Sequence, residues 1–205
     1  MKNLAYLLSV LLLGVSVATA GITFYTNQTS FETLYPGLTK EDYSNTNLPA
    51  SSISGAPGPF NSLTDNSCFS PGDIVDGISL DNLEGNDNVV LTPSYLGLTS
   101  VAVGPAALSN NAEYSFTVAV NAFGIDVVMP YGGSVDIEVF GAGGSLGTST
   151  STGSLAGDFW GVYSDVDITK IEFKSGTDGD LFSNAQFGAT TALDNSTWGS
   201  IKTSF

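Results

Sequence analysis

The chain is 205 residues long and carries 20 Asp and Glu against 5 Lys, a formal net charge of −15, with neither Arg nor His. Phosphate binding depends on Lys and Arg, so this balance argues against nucleic acid and anionic lipid as partners. Without His, neither a Ser-His-Asp or Cys-His nucleophile nor a His-bearing zinc site can be built. The chemistry that remains belongs to carboxylates, hydroxyls, Tyr and Lys.

Residues 1–20 (MKNLAYLLSVLLLGVSVATA) carry a positive Lys2, an apolar stretch from Leu4 to Val17 and a small-x-small Ala18-Thr19-Ala20 end. That is the pattern of a secretory signal peptide. The mature chain is expected to start at Gly21, with four lysines against twenty acids and a charge of −16. No further apolar run approaches the roughly 18 residues that a spanning helix needs, so no transmembrane anchor is expected. Cleavage implies a secreted, extracellular or cell-surface location.

Residues 22–26 (ITFYT) read as a first strand. Thr29-Ser30-Phe31-Glu32 fits an S/T-x-x-E capping box, which predicts one short helix over 30–34, stopped by Pro36-Gly37. Residues 45–72 hold Pro49, Pro57, Pro59 and Pro71 among Ser and Asn and read as loop. The lone Cys68 falls there. It is expected to pack as a small apolar residue, with an intermolecular disulfide or lipid attachment as the sharper alternative. Residues 74–80 and 89–91 read as strands around an acidic turn with Gly85 in its middle.

The second half alternates more clearly. In 113–120 (EYSFTVAV), Tyr114, Phe116, Val118 and Val120 share one face. A strand at 123–129 and a turn at 130–133 follow. Val135, Ile137 and Val139 then line one face, with Asp136, Glu138 and Phe140 on the other. A glycine-rich turn at 141–147, a polar extended stretch at 148–153, and strands at 159–162, 168–173 and 185–187 complete the set. In 168–173 (ITKIEF) strict alternation places Ile168 with Lys170 and Glu172, opposite Ile171 and Phe173. Many short strands without long helical periods predict an all-β chain, an antiparallel β-sandwich with one short N-terminal helix. The expected division is a signal peptide (1–20), one sandwich domain (21–190) and a short polar tail (191–205).

Three groups of residues are candidates for function. Asp81 and Asp87 lie in one acidic turn region, and Asp178-Gly179-Asp180 forms another. Oxygen ligands on glycine-permitted turns suit Ca²⁺, and neither stretch matches the twelve-residue EF-hand loop; solvated acid that keeps the chain soluble is the plainer reading. Trp160, Tyr163 and Tyr131 could stack against a sugar. Phe159 and Trp160 are adjacent in a strand, so they cannot both face one core. Asp126 with Asp136, or Asp165 with Asp167, could serve as an acid–base pair if a cleft held them about 5–10 Å apart.

The segment 121–127 (NAFGIDV), followed by Val135–Phe140, Gly144-Ser145-Leu146-Gly147-Thr148, Phe159-Trp160-Gly161-Val162, Ile168–Phe173 and Ser183-Asn184-Ala185-Gln186-Phe187-Gly188, resembles the secreted bacterial jelly-roll domains often found in PEP-CTERM (exosortase-sorted) proteins. Thr23-Phe24, Ser30-Phe31 and Glu41-Asp42-Tyr43 are similar to the opening of that group. The resemblance implies a jelly roll and an envelope or matrix context. Two departures stand out: Ser183 replaces the usual closing Asp, and the last residues (ALDNSTWGSIKTSF) hold no Pro-Glu-Pro motif. The expected function is a secreted or cell-surface, non-enzymatic protein of the envelope or extracellular matrix, acting by self-association or glycan contact. A Ca²⁺-dependent carbohydrate-binding module and a glycan-active enzyme are the alternatives.

Overall fold

The computed structural model describes residues 21–107, 109–174 and 179–190. The expected signal peptide, the polar tail and Asp178 lie outside the described residues. In chain order the elements are β1 (Ile22–Tyr25), α1 (Gln28–Leu34), β2 (Thr39–Glu41), β3 (Ile53–Ala56), β4 (Ile78–Asn82), β5 (Asn88–Leu91), β6 (Ala102–Pro105), β7 (Ala112–Phe116), β8 (Ala122–Val128), β9 (Gly133–Gly141), β10 (Gly144–Gly153), β11 (Asp158–Ser164), β12 (Ile168–Lys174) and β13 (Leu181–Gly188). The all-β prediction with one short helix holds.

Two antiparallel sheets face each other. The larger runs β1-β11-β8-β13-β6-β5-β3, and β2 also pairs with β13; the smaller runs β10-β9-β12-β7-β4. Their inner faces meet in an aromatic seam. Trp160 of the larger sheet lies 5.8 Å from Phe173 of the smaller, and Phe173 lies 4.5 Å from Phe182. Tyr114 sits 5.4 Å from Phe123 and 5.5 Å from Phe182. Fully burying each such ring contributes about 1.5–3 kcal/mol relative to leaving it exposed. Two hydroxyls enter this core together: Tyr43 and Tyr114 share a 3.1 Å hydrogen bond, which satisfies both away from water.

The larger sheet is covered on its outer face as well. Helix α1 lies over one end, seating Phe31 and Tyr35 among Tyr25, Leu38, Ala122, Phe159 and Tyr163. Asn27 caps the helix, its side-chain oxygen accepting the Ser30 N–H at 2.8 Å. The expected capping box therefore starts two residues too late; Asn27 is as good a cap as Thr, and Glu32 turns instead to Gln28 and Lys40. At the other end a 3₁₀ turn at Tyr95–Gly97 covers Val89, Leu91, Ala102, Val128 and Leu181.

The helix can settle because two glycines leave room. Gly124 and Gly161 are cross-strand partners in β8 and β11. A Cβ at Gly124 would lie 2.8 Å from the Phe159 ring, and one at Gly161 would lie 3.0 Å from Phe159 and 3.1 Å from Phe31. These glycines are the floor on which both rings lie.

Several boundaries differ from the sequence expectation. The 45–72 stretch contains β3, which has too few apolar residues to stand out (ISGA) but pairs with β5 from Ile53↔Leu91 to Ala56↔Asn88. β10 starts at Gly144, so the glycine-rich turn is shorter than expected. Ile168 is buried with Ile171 and Phe173 because the pairing of β12 with β9 shifts register between Ile168 and Lys170, and that bulge resets the alternation. Cys68 is fully buried, as its small apolar character suggested, which removes it from intermolecular disulfide chemistry in the folded chain.

Replacing Gly161 or Gly124 by Ala is expected to cost about 1–3 kcal/mol through overpacking beneath Phe31 and Phe159. Urea denaturation checks this: the midpoint should fall with the slope unchanged.

Candidate functional site

The structure separates the residues that the sequence suggested. Trp160 is 1% exposed, with Phe24, Phe123 and Phe173 around its ring and its Nε1 donating to Ser149 Oγ at 3.0 Å. It cannot serve as a platform for a sugar. Adjacent Phe159 does turn to the opposite face, as alternation requires, but α1 covers that face too. Tyr163 is half-buried and stacks on Tyr35 with centroids 4.8 Å apart and planes 9° apart, so its ring belongs to the helix packing. Tyr131 remains 75% exposed, on the rim of an apolar groove of about 210 Å³ that includes Ile53, Tyr95 and Leu96.

The carboxylates are divided too. Asp126 lies on the outer face of the larger sheet and Asp136 on the outer face of the smaller, so the two point away from each other across the sandwich. Asp81 lies in β4, Asp87 in the turn before β5, and Asp180 is buried just before β13. Among the described residues no group of three or more Asp, Glu, Cys or His is arranged to hold a metal ion.

Two features that the sequence did not bring forward are better defined. The first is the edge of the smaller sheet. β10 is ten residues long, GSLGTSTSTG, with no charge and no proline. It pairs with β9 along its length, and among the described residues no strand occupies its other side. Thr148, Thr150 and Thr152 are exposed on its outer face, and Ser149 and Ser151 turn inward. Next to this edge runs a row of four carboxylates in register across four strands: Glu138↔Glu172, Glu172↔Glu113 and Glu113↔Asp81. Like charges directly opposite one another are destabilising. Lys170 bridges Glu113 (2.9 Å) and Glu172 (2.6 Å), and Lys174 bridges Glu138 (2.5 Å) and Glu172 (3.9 Å). Two lysines thus hold the row together, and these carboxylate contacts raise the pKa of both.

The second feature is a polar cleft of about 190 Å³ on the outer face of the larger sheet, walled by α1, β2 and β13. Lys40 Nζ and Gln28 Nε2 both donate to Glu32 Oε1, at 2.9 and 3.1 Å, and the Lys40 contact holds the Glu32 carboxyl below its usual range. Glu41 spends both oxygens on backbone N–H groups, those of Tyr43 and Val75, while burial still raises its pKa. Asn184 sits at φ +52° where β13 bulges against β8, which aims its Nδ2 at Asp126 Oδ2 (2.7 Å). Burial raises the Asp126 carboxyl, and the nearby charges of Glu32 and Asp158 add to that. Gln186 closes the floor. It is 2% exposed, and its side-chain amide adds a hydrogen bond that helps to hold the Glu32 carboxyl down.

No protein-family model and no curated protein matches this sequence. Among the described residues no helix is long and apolar enough to cross a membrane.

The core tyrosines and the lysine bridges set one pH dependence. Burial raises the phenols of Tyr43 and Tyr114, whose unfolded value is 10.0, and the bridges raise Lys170 and Lys174 above 10.5. All four contributions are intact below the unfolded value and are lost as pH rises towards the folded one. The melting temperature should therefore fall steeply above about pH 10. Absorbance at 295 nm should show the two core phenols ionising together with unfolding.

Proposed function

We infer that this chain is a secreted, non-enzymatic protein of the cell envelope or extracellular matrix, and that it works by joining to further copies of itself. The observation that carries this reading is β10, a long edge strand with no charge, no proline and, among the described residues, no strand paired to its outer side. Such edges are commonly blunted by Lys, Pro or a covering element. Here a register shift between Ser145 and Gly147 marks one end, and Thr148–Gly153 continue uninterrupted. A second β10 in antiparallel pairing would extend the smaller sheet, with hydroxyl side chains from both copies alongside one another. The export signal expected at 1–20 and the resemblance to envelope-associated jelly-roll domains agree with this setting. The lack of His and Arg agrees with a role other than catalysis. Tyr131 and its groove offer the contact surface for a glycan-binding alternative, in which calcium would order the acidic turns.

Charge sets the conditions for assembly. Asp136, Glu138 and Asp158 lie beside β10, and the mature chain carries −16, so copies repel at low ionic strength. Sedimentation of the mature protein should show association strengthening from 20 to 300 mM NaCl. The double variant Thr150→Lys/Thr152→Lys keeps partners within its own chain at Asp136 and Asp158, since Thr150 and Thr152 already donate to those carboxylates at 2.8 and 3.3 Å. It should weaken association at least tenfold and leave the melting temperature nearly unchanged. A protein that stays monomeric at millimolar concentration in high salt would overturn the reading. Calcium that raises the melting temperature at constant ionic strength would favour the alternative.

A further inference from the structure

The two sheets end together on one side of the molecule. There β1 is the last strand of the larger sheet and β10 the last of the smaller, and among the described residues neither has a strand beyond it. A Cβ added at Gly147 of β10 would lie 3.2 Å from Ile22 and 3.6 Å from Phe24, so the two edges are stacked across the sandwich. A hollow of about 480 Å³ lies alongside them, reaching from Thr26 just after β1 to Thr150 and Thr152 of β10.

β1 shares the character of β10. Its four residues, ITFY, include no charge and no proline. Two neutral edges are thus superposed in a mature chain that carries −16. Gly21 O accepts the Asp165 N–H at 3.0 Å, while Ser164, the register partner of Ile22, gives its own N–H to Asn121. By antiparallel alternation Gly21, Thr23 and Tyr25 turn their backbone groups to β11, and Ile22 and Phe24 turn theirs away from it. Between the edges Ile22, Phe24 and Leu146 pack against the core and stay only half-buried. This side therefore presents two rows of backbone donors and acceptors with apolar surface between them.

Symmetry selects the occupant. A twofold axis normal to the sheets, set beside Gly147, lays β10 antiparallel against a second β10 and, in the same operation, β1 against a second β1. Both sheets then continue into the partner, and Ile22, Phe24 and Leu146 of each copy meet across the seam. Pairing through β10 alone would leave that apolar strip in water and the outward groups of β1 unpaired. A single extended peptide would serve one edge only, because packed sheets are about 10 Å apart. An isologous contact uses the same patch on both copies, so it closes at two.

We propose that the self-associating unit is a closed twofold dimer joined through both sheets, β10 to β10 and β1 to β1, with Ile22, Phe24 and Leu146 in the seam. This rests on the assembly reading and adds to it the larger sheet, the apolar strip and the limit of two copies.

The test is amide hydrogen exchange of the mature protein in high salt, resolved to single residues and compared at micromolar and millimolar concentration. At the higher concentration Ile22 and Phe24 should gain protection together with β10, while Thr23, bonded to β11 in either state, should change little. Sedimentation equilibrium should fit monomer and dimer alone. Ile22→Pro removes an outward N–H at the first position of an edge strand, where proline is tolerated. It should weaken dimerisation about tenfold, through the two hydrogen bonds lost per dimer. Protection gained by β10 without β1 would overturn the proposal and leave assembly through β10 standing. Species larger than a dimer would overturn it too, with the assembly reading intact. A chain that stays monomeric at millimolar concentration would remove both. The exchange measurement uses the unaltered sequence, so it decides the matter even where Ile22→Pro fails to fold.

Discussion

Phe159 and Trp160 are neighbours on one strand, Trp160 buried in the core and Phe159 half-buried on the opposite face. This is achievable only because the larger sheet is covered on both faces, and most of the architecture follows from that requirement. On the inner face Trp160 joins the seam of Phe123, Phe173, Phe182 and Tyr114 that fastens the two sheets. On the outer face Phe159 lies under Phe31, at 5.5 Å between centroids. A seven-residue helix is too short to hold itself together in water. It persists because Phe31 and Tyr35 reach a surface where Gly124 and Gly161 have cleared space. The glycines, the helix and the aromatic pair therefore stand or fall together.

Covering the outer face at two places leaves a strip between them. Helix α1 shields one end of the larger sheet and the 3₁₀ turn shields the other. Along β8 the outward residues run Ala122, Gly124, Asp126 and Val128, apolar beneath the covers and charged between them. The polar cleft is this intermediate strip, deepened by the bulge that holds Asn184. A depression lined by amides and carboxylates is thus a by-product of how the sheet is roofed.

The smaller sheet manages charge rather than burial. Its outer face concentrates carboxylates in register, and two of the four lysines of the mature chain are committed to bridging them. With two bases drawn to the middle strand β12, the edge strand β10 is left without a charge. An edge without charge is open to pairing, and the acidic surroundings make that pairing depend on salt.

The sequence by itself determined the fold class, most strand positions and the electrostatic character, because alternation of side chains and the ratio of acids to bases are local or additive properties. Val135, Ile137 and Val139 face inward as their period-two pattern requires, and the absence of His and Arg narrows the chemistry before any coordinate is known. What only the tertiary structure decided was which faces are covered and which strand lies at an edge. Trp160 and Tyr163 look available in a strand read alone, and it is the docking of the opposite sheet and of α1 that hides them. Thr148, Thr150 and Thr152 read as an unremarkable polar run, and only sheet order reveals that nothing among the described residues pairs with their far side. Gln186 carries no sequence signal at all, because its burial depends on a helix about 150 residues earlier in the chain folding over it. Exposure and adjacency are set by contacts between distant segments, and no local pattern encodes them.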